Sequence, residues 1–356
     1  MAVARVVIDC RWLSIGGAGR LTELLLRGMC ETMPDGRWVL WGPPEVERWR
    51  WAGAQVVTTS TDPRSLNGQR SWFEVPRSDL VVFLHQQRPL RPVPSVTAVL
   101  DTVPVRFHRG RLDGRLKRLF LRRVASLSKE VVTISAFSRA CIVRDLGVPP
   151  ERVSVVSLPY DERLVARVND LRTTTAPTDI ALYVGAFSPH KNLDRLARAF
   201  PRTAFAASGG RLLLVGGSPA AARALLECLE PAERDVVDVR PRCDDDELHR
   251  LFAGALFLVQ PSLEEGFGLP VWEALTCGLP VCASDGGALP EITAGRADTF
   301  DPTSVDAITR ALDACASRAR SMRDGGGFRP PDRAELGAPS VTGFARQLEE
   351  IVRRNT

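Results

Sequence analysis

The chain has few of the features that mark whole classes of protein. No apolar run approaches the ~18–20 residues of a membrane span, and MAVARVVIDC reaches an acid at Asp9 too early for a signal peptide. The eight cysteines form no Cys-x-x-Cys pair, and the four histidines are too scattered for a tetrahedral zinc site. The sequence therefore predicts a cytoplasmic protein with reduced, mostly buried thiols, no metal and no cofactor.

Lysine is also scarce, since only three of the 47 basic residues are lysines, namely Lys117, Lys129 and Lys191. The net charge of +5 is small for 356 residues, so the composition does not predict a nucleic-acid partner. The values of 44% hydrophobic and 25% charged residues exclude a fibrous or disordered chain. The length favours two domains over one.

Apolar stretches of strand length alternate with helical periodicity along the chain, which is the rhythm of a doubly wound parallel sheet. In the first half they are ARVVID, WVLW, LVVFL, SVTAVL, VVTIS and RVSVVSL. After a polar, threonine-rich linker at 169–179 come IALYVG, RLLLVG, VVDV, ALFLV and PVCAS. We therefore expect an α/β protein with Rossmann-like domains over 1–170 and 180–340, and a last amphipathic helix over 341–356.

The stretch 255–292 carries the most information about chemistry. A buried strand, ALFLV, leads into a loop ending in EEGFG, and Pro270 then opens a helix. Glycines let the backbone approach a ligand, and the amides of Phe267, Gly268 and Leu269 with the helix N-terminus would form an anion site. Glu265 on the loop and Glu273 in the first helical turn suit the hydroxyls of a sugar and a ribose.

This segment, PSLEEGFGLPVWEA, resembles the E-x7-E motif of retaining GT-B glycosyltransferases of family 4, also called glycosyltransferase group 1. The resemblance implies two Rossmann-like domains facing a central cleft, with the C-terminal helix crossing back to the first. It implies that Glu273 holds the donor's ribose. Glu265 and the amides of residues 267–269 would hold the sugar hydroxyls and the distal phosphate.

A second match, YVGAFSPHKNLDRLARAF, opens the second domain. It is similar to the family segment whose basic residue binds the donor diphosphate, which implies that role for Lys191. Ala186 stands where the family often has an arginine, and His190 stands where some members have one. His190 is therefore either a substitute hydrogen-bond donor or a surface residue of a turn. For Lys191, the alternative is a solvated residue at a helix start.

The first domain carries weaker signals. The opening IDCRWLSIGGAGR is similar to the family's glycine loop before the first helix, so Gly17 and Gly19 would approach the diphosphate. In VTAVLDTVPV, the family's His-Asp pair is reduced to Leu100 and Asp101, and Asp101 is either catalytic or a structural cap. For Ser135 and Ser138, in VVTISAFSR, the sequence favours a role as helix caps over a role as substrate ligands.

A basic segment at 106–123, RFHRGRLDGRLKRLFLRR, has eight arginines and lysines and one aspartate. Three interpretations remain open: a solvated helix that packs by its leucines, a helix on an anionic membrane surface, and a site for a phosphorylated acceptor. The modest net charge favours a soluble acceptor over a lipid-linked one. Membrane contact would then be weak and peripheral.

The sequence thus predicts a metal-independent, retaining transfer of a hexosyl group from a nucleoside diphosphate sugar to an acceptor hydroxyl. The alternatives are an epimerase or hydrolase of nucleotide sugars with the same fold, and a non-catalytic partner that binds them. A Rossmann oxidoreductase is disfavoured because neither half has a full dinucleotide fingerprint.

Overall fold

A computed structural model describes residues 4–13, 15–33, 38–51, 53–60, 62–63, 65, 77–90, 92–107 and 111–356. The chain forms two compact units. The first comprises Met1–Tyr160 together with Ala338–Thr356, and the second comprises Asp161–Gly337.

The first unit is built on a seven-stranded parallel sheet with the order β3-β2-β1-β4-β5-β6-β7. This order reverses beside β1, as in a doubly wound Rossmann-like sheet, so ligands are expected at the carboxyl ends of its strands. The strands are β1 Val6–Asp9, β2 Trp38–Gly42, β3 Ala54–Thr58, β4 Leu80–Phe83, β5 Ser95–Ala98, β6 Glu130–Thr133 and β7 Val153–Val155. Helices before the second unit are α1 Gly16–Thr32, α2 Val103–Arg106, α3 Arg111–Ser126 and α4 Ala136–Cys141.

The second unit repeats this architecture with a six-stranded parallel sheet in the order β10-β9-β8-β11-β12-β13. Its strands are β8 Ile180–Val184, β9 Arg211–Val215, β10 Val237–Arg240, β11 Phe257–Gln260, β12 Val281–Ser284 and β13 Asp298–Phe300. The two doubly wound sheets confirm the predicted fold class.

Nine helices among the described residues surround the second sheet. Several of them pack against the strands through a cluster of buried apolar side chains. Phe205 packs at 5.6 Å between ring centroids from Phe257, which joins a helix to the central strand β11. The helices are α5 Glu162–Arg172, α6 Leu193–Ala199, α7 Ala204–Ala207, α8 Pro219–Glu227, α9 Pro231–Arg234, α10 Asp245–Gly254, α11 Leu269–Thr276, α12 Leu289–Thr293 and α13 Val305–Asp324.

The predicted linker at 169–179 is wrong in its first four residues. Residues 169–172 complete α5, which packs against α10 within the second unit. The helix begins where the Asp161 side chain accepts the amides of Arg163 and Leu164, a capping interaction that the sequence analysis did not consider.

The last helix, α14 (Val341–Asn355), packs against α1 and belongs to the first unit, as predicted. Its apolar stripe of Val341, Phe344, Leu348, Ile351 and Val352 is buried. The two helices approach closely at Gly28, where a Cβ atom would lie 2.3 Å from the Val341 carbonyl oxygen. A side chain larger than hydrogen at this position would separate them.

Three of the four leucines in the basic segment at 106–123 do not pack against the fold. Leu112, Leu116 and Leu119 are 71%, 58% and 66% exposed. The helix α3 packs instead through Leu121, Val124 and Ala125, with Phe120 partly buried beside them. Residues 108–110 of the basic segment lie outside the described residues. The interpretation of a helix that buries its leucines is therefore wrong for three of them.

The cysteines are free, and five of the eight are buried, as predicted. Within the described ranges, no helix is both long and apolar enough to cross a membrane.

Candidate functional site

The candidate site of the second unit lies where two neighbouring parallel strands end. β8 and β11 pair in the middle of the sheet. Lys191 follows β8 and Glu265 follows β11, so the topology brings together residues that are 74 positions apart. The Lys191 Nζ donates to Glu265 Oε1 at 2.6 Å, and both side chains are largely buried. Two residues selected independently from the sequence thus form one ion pair.

The Glu265 carboxylate is held by two further donors that the sequence analysis missed. Gln260 is the last residue of β11, and its Nε2 donates to Glu265 Oε1 at 2.8 Å. The Ser262 hydroxyl donates to the same oxygen at 2.6 Å. Their position just before the EEGFG loop, at the carboxyl end of a buried strand, is the signal that could have identified them.

Glycines allow the loop after β11 to adopt its shape. Gly268 has φ +98°, a left-handed conformation that costs little without a Cβ, and α11 begins at the next residue. Gly287 has φ +67°, and a Cβ there would lie 2.4 Å from the Glu265 amide nitrogen. Gly287 therefore lets the segment before α12 pack directly on the loop, a second contribution that was not predicted.

The turn of the loop into α11 leaves backbone donors without acceptors. Within the part of the chain that the structure describes, the amides of Phe267, Gly268 and Leu269 donate no hydrogen bond. They precede or open an eight-residue helix with Pro270 in its first turn, as the sequence predicts. Consecutive amides together with the positive end of a helix dipole form an anion-binding arrangement.

The predicted place of Glu273 needs a correction. Glu273 is the fifth residue of α11, at the start of its second turn, and not in the first turn. The reason is that α11 begins at Leu269, one residue earlier than the predicted start at Pro270. The side chain is half-buried.

Lys191 is presented by a tight turn. Pro189–Lys191 forms a single 3₁₀ turn, and Asn192 follows in the left-handed conformation with φ 58° before α6 begins. The Asn192 Nδ2 donates to the carbonyls of Pro261 and Pro302 at 3.0 and 2.7 Å. This asparagine, which the sequence analysis did not select, fixes the lysine turn to the loop that carries Glu265.

His190 lies in the same turn, and its carbonyl accepts the amide of Leu263 at 2.8 Å. Burial, and secondarily the charge of Lys191, lowers the pKa of its imidazole to about 4. The ring is therefore neutral at pH 7 and could donate a hydrogen bond but would not add a positive charge.

Two of the first unit's three candidate residues, Gly19 and Asp101, have contacts that explain them structurally. The sequence predicts Gly17 and Gly19 in a loop before the first helix. They lie instead in the first turn of α1. A Cβ on Gly19 would lie 2.6 Å from the Leu13 carbonyl oxygen, so packing explains this glycine. The Asp101 carboxylate accepts the amide of Val103 at 3.0 Å, which is a cap on α2.

Ser135 is the N-cap of α4 and accepts the amide of Ser138, which confirms its capping role, whereas Ser138 itself lies inside the helix. The acidic run at 244–247 opens α10, where the Asp244 side chain accepts the Glu247 amide at 2.8 Å. Among the residues described, no group of three His, Cys, Asp or Glu side chains could hold a metal ion.

Two Rossmann-like units in one chain are the architecture of the GT-B glycosyltransferases. Comparison with solved structures confirms this fold: sucrose-phosphate synthase from Thermosynechococcus elongatus aligns with a TM-score of 0.73 at 18% identity, over 99% of both chains. Residues 173–323 match the family of group 1 glycosyl transferases. The resemblance carried by the loop motif is thereby confirmed.

Two characterised relatives are similar over part of the chain. The O-antigen chain mannosyltransferase B of Escherichia coli is 30% identical over 190 residues, 51% of this chain and 50% of the relative. The MMP alpha-(1->4)-mannosyltransferase of Mycolicibacterium hassiacum is 31% identical over 209 residues, 57% of this chain and 49% of the relative. The matches thus span about half the length of these relatives.

Proposed function

We propose that the protein is a retaining glycosyltransferase that moves a hexosyl group from a nucleoside diphosphate sugar to an acceptor hydroxyl. The observation that carries the proposal is the Lys191–Glu265 pair, since it lies on the same loop system as three unpaired amides at the start of α11. Amides and lysine suit a diphosphate, and the carboxylate suits sugar hydroxyls. The mannosyltransferase relatives support a hexosyl donor.

In the proposed reaction, the bond between the anomeric carbon and the diphosphate oxygen breaks as the acceptor oxygen bonds to that carbon on the same face. The acceptor proton passes to the leaving phosphate oxygen. Lys191, the amides of residues 267–269 and the α11 dipole stabilise the charge that develops on the diphosphate. His190 contributes a neutral hydrogen-bond donor. In the first unit, we keep Gly17 and Gly19 as donor-binding and Asp101 as catalytic candidates.

Incubation with donor alone separates this function from its alternatives. A transferase needs a hydroxyl acceptor, so NMR should show the donor sugar released only slowly without one and transferred with an unchanged anomeric configuration when one is present. Fast release of free sugar would indicate a hydrolase, and a changed sugar would indicate an epimerase. Binding without turnover under either condition would indicate a non-catalytic partner.

We expect activity that does not depend on a divalent metal. The charge-stabilising groups of the candidate site are a lysine and backbone amides, and the acidic run at 244–247 caps a helix. Activity measured after EDTA treatment should stay within about twofold of the untreated rate, because positioned donors carry the electrostatic stabilisation. Activity abolished by EDTA and restored by Mg²⁺ or Mn²⁺ would contradict this expectation.

The exposed face of α3 supports a weak peripheral contact with anionic membranes. Leu112, Leu116 and Leu119 follow helical spacing and are exposed, and Arg115, Arg118 and Arg122 are exposed beside them. Apolar and basic side chains together suit the boundary between headgroups and acyl chains. The net charge of +5 keeps the contact weak, so we retain a soluble acceptor as the preferred substrate.

Vesicle sedimentation measures this contact. Each basic residue near an anionic surface contributes about 1 kcal/mol, so the variant with Arg115, Arg118 and Arg122 changed to alanine should lose the sedimented fraction. The wild-type fraction should be small at physiological salt, where the Debye length is about 8 Å, and should vanish at about 1 M salt, where it falls to about 3 Å. Neutral vesicles are the control. Substantial sedimentation at physiological salt would reverse the preference and favour a lipid-linked acceptor.

A further inference from the structure

Gln260 and Ser262 share an unusual environment, because both are polar side chains without access to solvent. Gln260 is 1% exposed and Ser262 is 0% exposed. Both donate a hydrogen bond to Glu265 Oε1, and the Lys191 ammonium donates to the same oxygen. Three donors at 2.6–2.8 Å therefore converge on a single carboxylate oxygen.

Half of the Gln260 amide is left without a partner. Its Nε2 donates to both Ser262 and Glu265, whereas its Oε1 is buried and has no hydrogen bond among the residues described. The Gln260 side-chain amide cannot be flipped to exchange its oxygen and nitrogen, because the oxygen would then face the Glu265 carboxylate. An unsatisfied buried acceptor destabilises a fold, and an apolar side chain of similar volume would avoid that cost. The contact with Glu265 is thus the reason for a glutamine here.

The donors leave the two oxygens of Glu265 in different situations. Every hydrogen bond described for this side chain reaches Oε1, so Oε2 is the oxygen that remains for a ligand. Lys191 is also the side chain expected to bind the donor diphosphate. When it turns toward that ligand, Glu265 keeps its position only through the two neutral donors.

We propose that Gln260 and Ser262 are positioning residues for recognition of the donor sugar. They hold Glu265 by Oε1, so that Oε2 accepts a hydroxyl of the sugar while Lys191 binds the diphosphate. The inference rests on the proposed function, since it needs a nucleotide sugar at this site. It adds two residues, at the end of β11, to those that determine sugar recognition.

Calorimetry with paired probes tests this role. The pairs are UDP-glucose with UDP and GDP-mannose with GDP, since only the first member of each carries a sugar. The variants are Gln260→Met and Ser262→Ala. Ser284→Ala is the matched control, because Ser284 is also fully buried but its hydroxyl donates to the Ser262 carbonyl and not to Glu265.

For the pair that the wild type binds, we expect each variant to bind the sugar nucleotide about tenfold more weakly, the effect of losing one hydrogen bond to a charged group. Affinity for the nucleoside diphosphate alone should stay within about twofold. Ser284→Ala should leave the ratio of the two affinities unchanged, whatever its effect on the melting temperature.

Three results would overturn the inference: equal losses for both members of the pair, unchanged affinities, or unfolding of both variants at 25 °C, which would show a structural role. If the wild type binds none of the four probes, the inference fails together with the proposed function for uridine and guanosine diphosphate donors. If the wild type binds a probe pair and the variants bind it with the same affinities, only the positioning role is rejected.

Discussion

Replacing Lys191 by alanine should lower kcat/KM by about two to three powers of ten. The Lys191 ammonium brings a positive charge to the loop that carries Glu265. One preorganised donor contributes ~3–4 kcal/mol to stabilising the charge of a transition state. The loss should appear mainly in kcat, because the charge on the leaving diphosphate develops during the reaction. Steady-state kinetics with the preferred donor measures it.

Lys129→Ala is the matched control for this variant. Lys129 is one of the chain's three lysines, and its Nζ donates to the Asn355 carbonyl within the first unit. Its replacement should leave kcat/KM close to the wild-type value. A loss of less than threefold for Lys191→Ala would show that another group stabilises the leaving diphosphate, with His190 as the next candidate.

Glu273→Ala should weaken donor binding by about ten- to a hundredfold while the fold stays intact. A carboxylate that accepts hydrogen bonds from ribose hydroxyls contributes about 1.5–3 kcal/mol, and the half-buried side chain contributes little to the core. Calorimetry with the preferred donor measures the affinity, and circular dichroism checks the fold.

Glu291→Ala is the corresponding control, because Glu291 is an exposed acid in the first turn of the neighbouring helix α12. Its affinity for the donor should equal that of the wild type. If Glu273→Ala also bound the donor with unchanged affinity, the assignment of the ribose to Glu273 would be wrong.

The alternating apolar pattern predicted eleven of the thirteen described strands, and the two that it missed are edge strands. β3 (AQVVT) and β13 (DTF) each border solvent on one side, so their residues alternate or are partly exposed. A continuous apolar run marks only strands that are covered on both faces. The interior strands were therefore predictable, as were the edge strands β7 and β10, whereas the edge strands β3 and β13 were not.

Within the candidate site, the loop glycines, Glu265 and Lys191 were predictable because their residue types and spacing form a specific motif. Gln260, Ser262 and Asn192 were not, because their roles depend on contacts with residues that are distant in sequence or on how a loop folds back. The exposed leucines of α3 were mispredicted for a related reason. Helical periodicity identifies a stripe, but tertiary packing decides which stripe is buried.

The central claim is that the second unit binds a nucleoside diphosphate sugar through the loop between β11 and α11. Thermal unfolding of the wild type and Glu273→Ala, with a panel of uridine, guanosine and adenosine diphosphate sugars, tests it most directly. A ligand at 100 times its Kd adds about 2.7 kcal/mol to the free energy of unfolding. The account predicts that at least one sugar nucleotide raises the wild-type melting temperature by several degrees and that the variant loses at least about half of that shift. No shift with any member of the panel, or the same shift in both proteins, would contradict it.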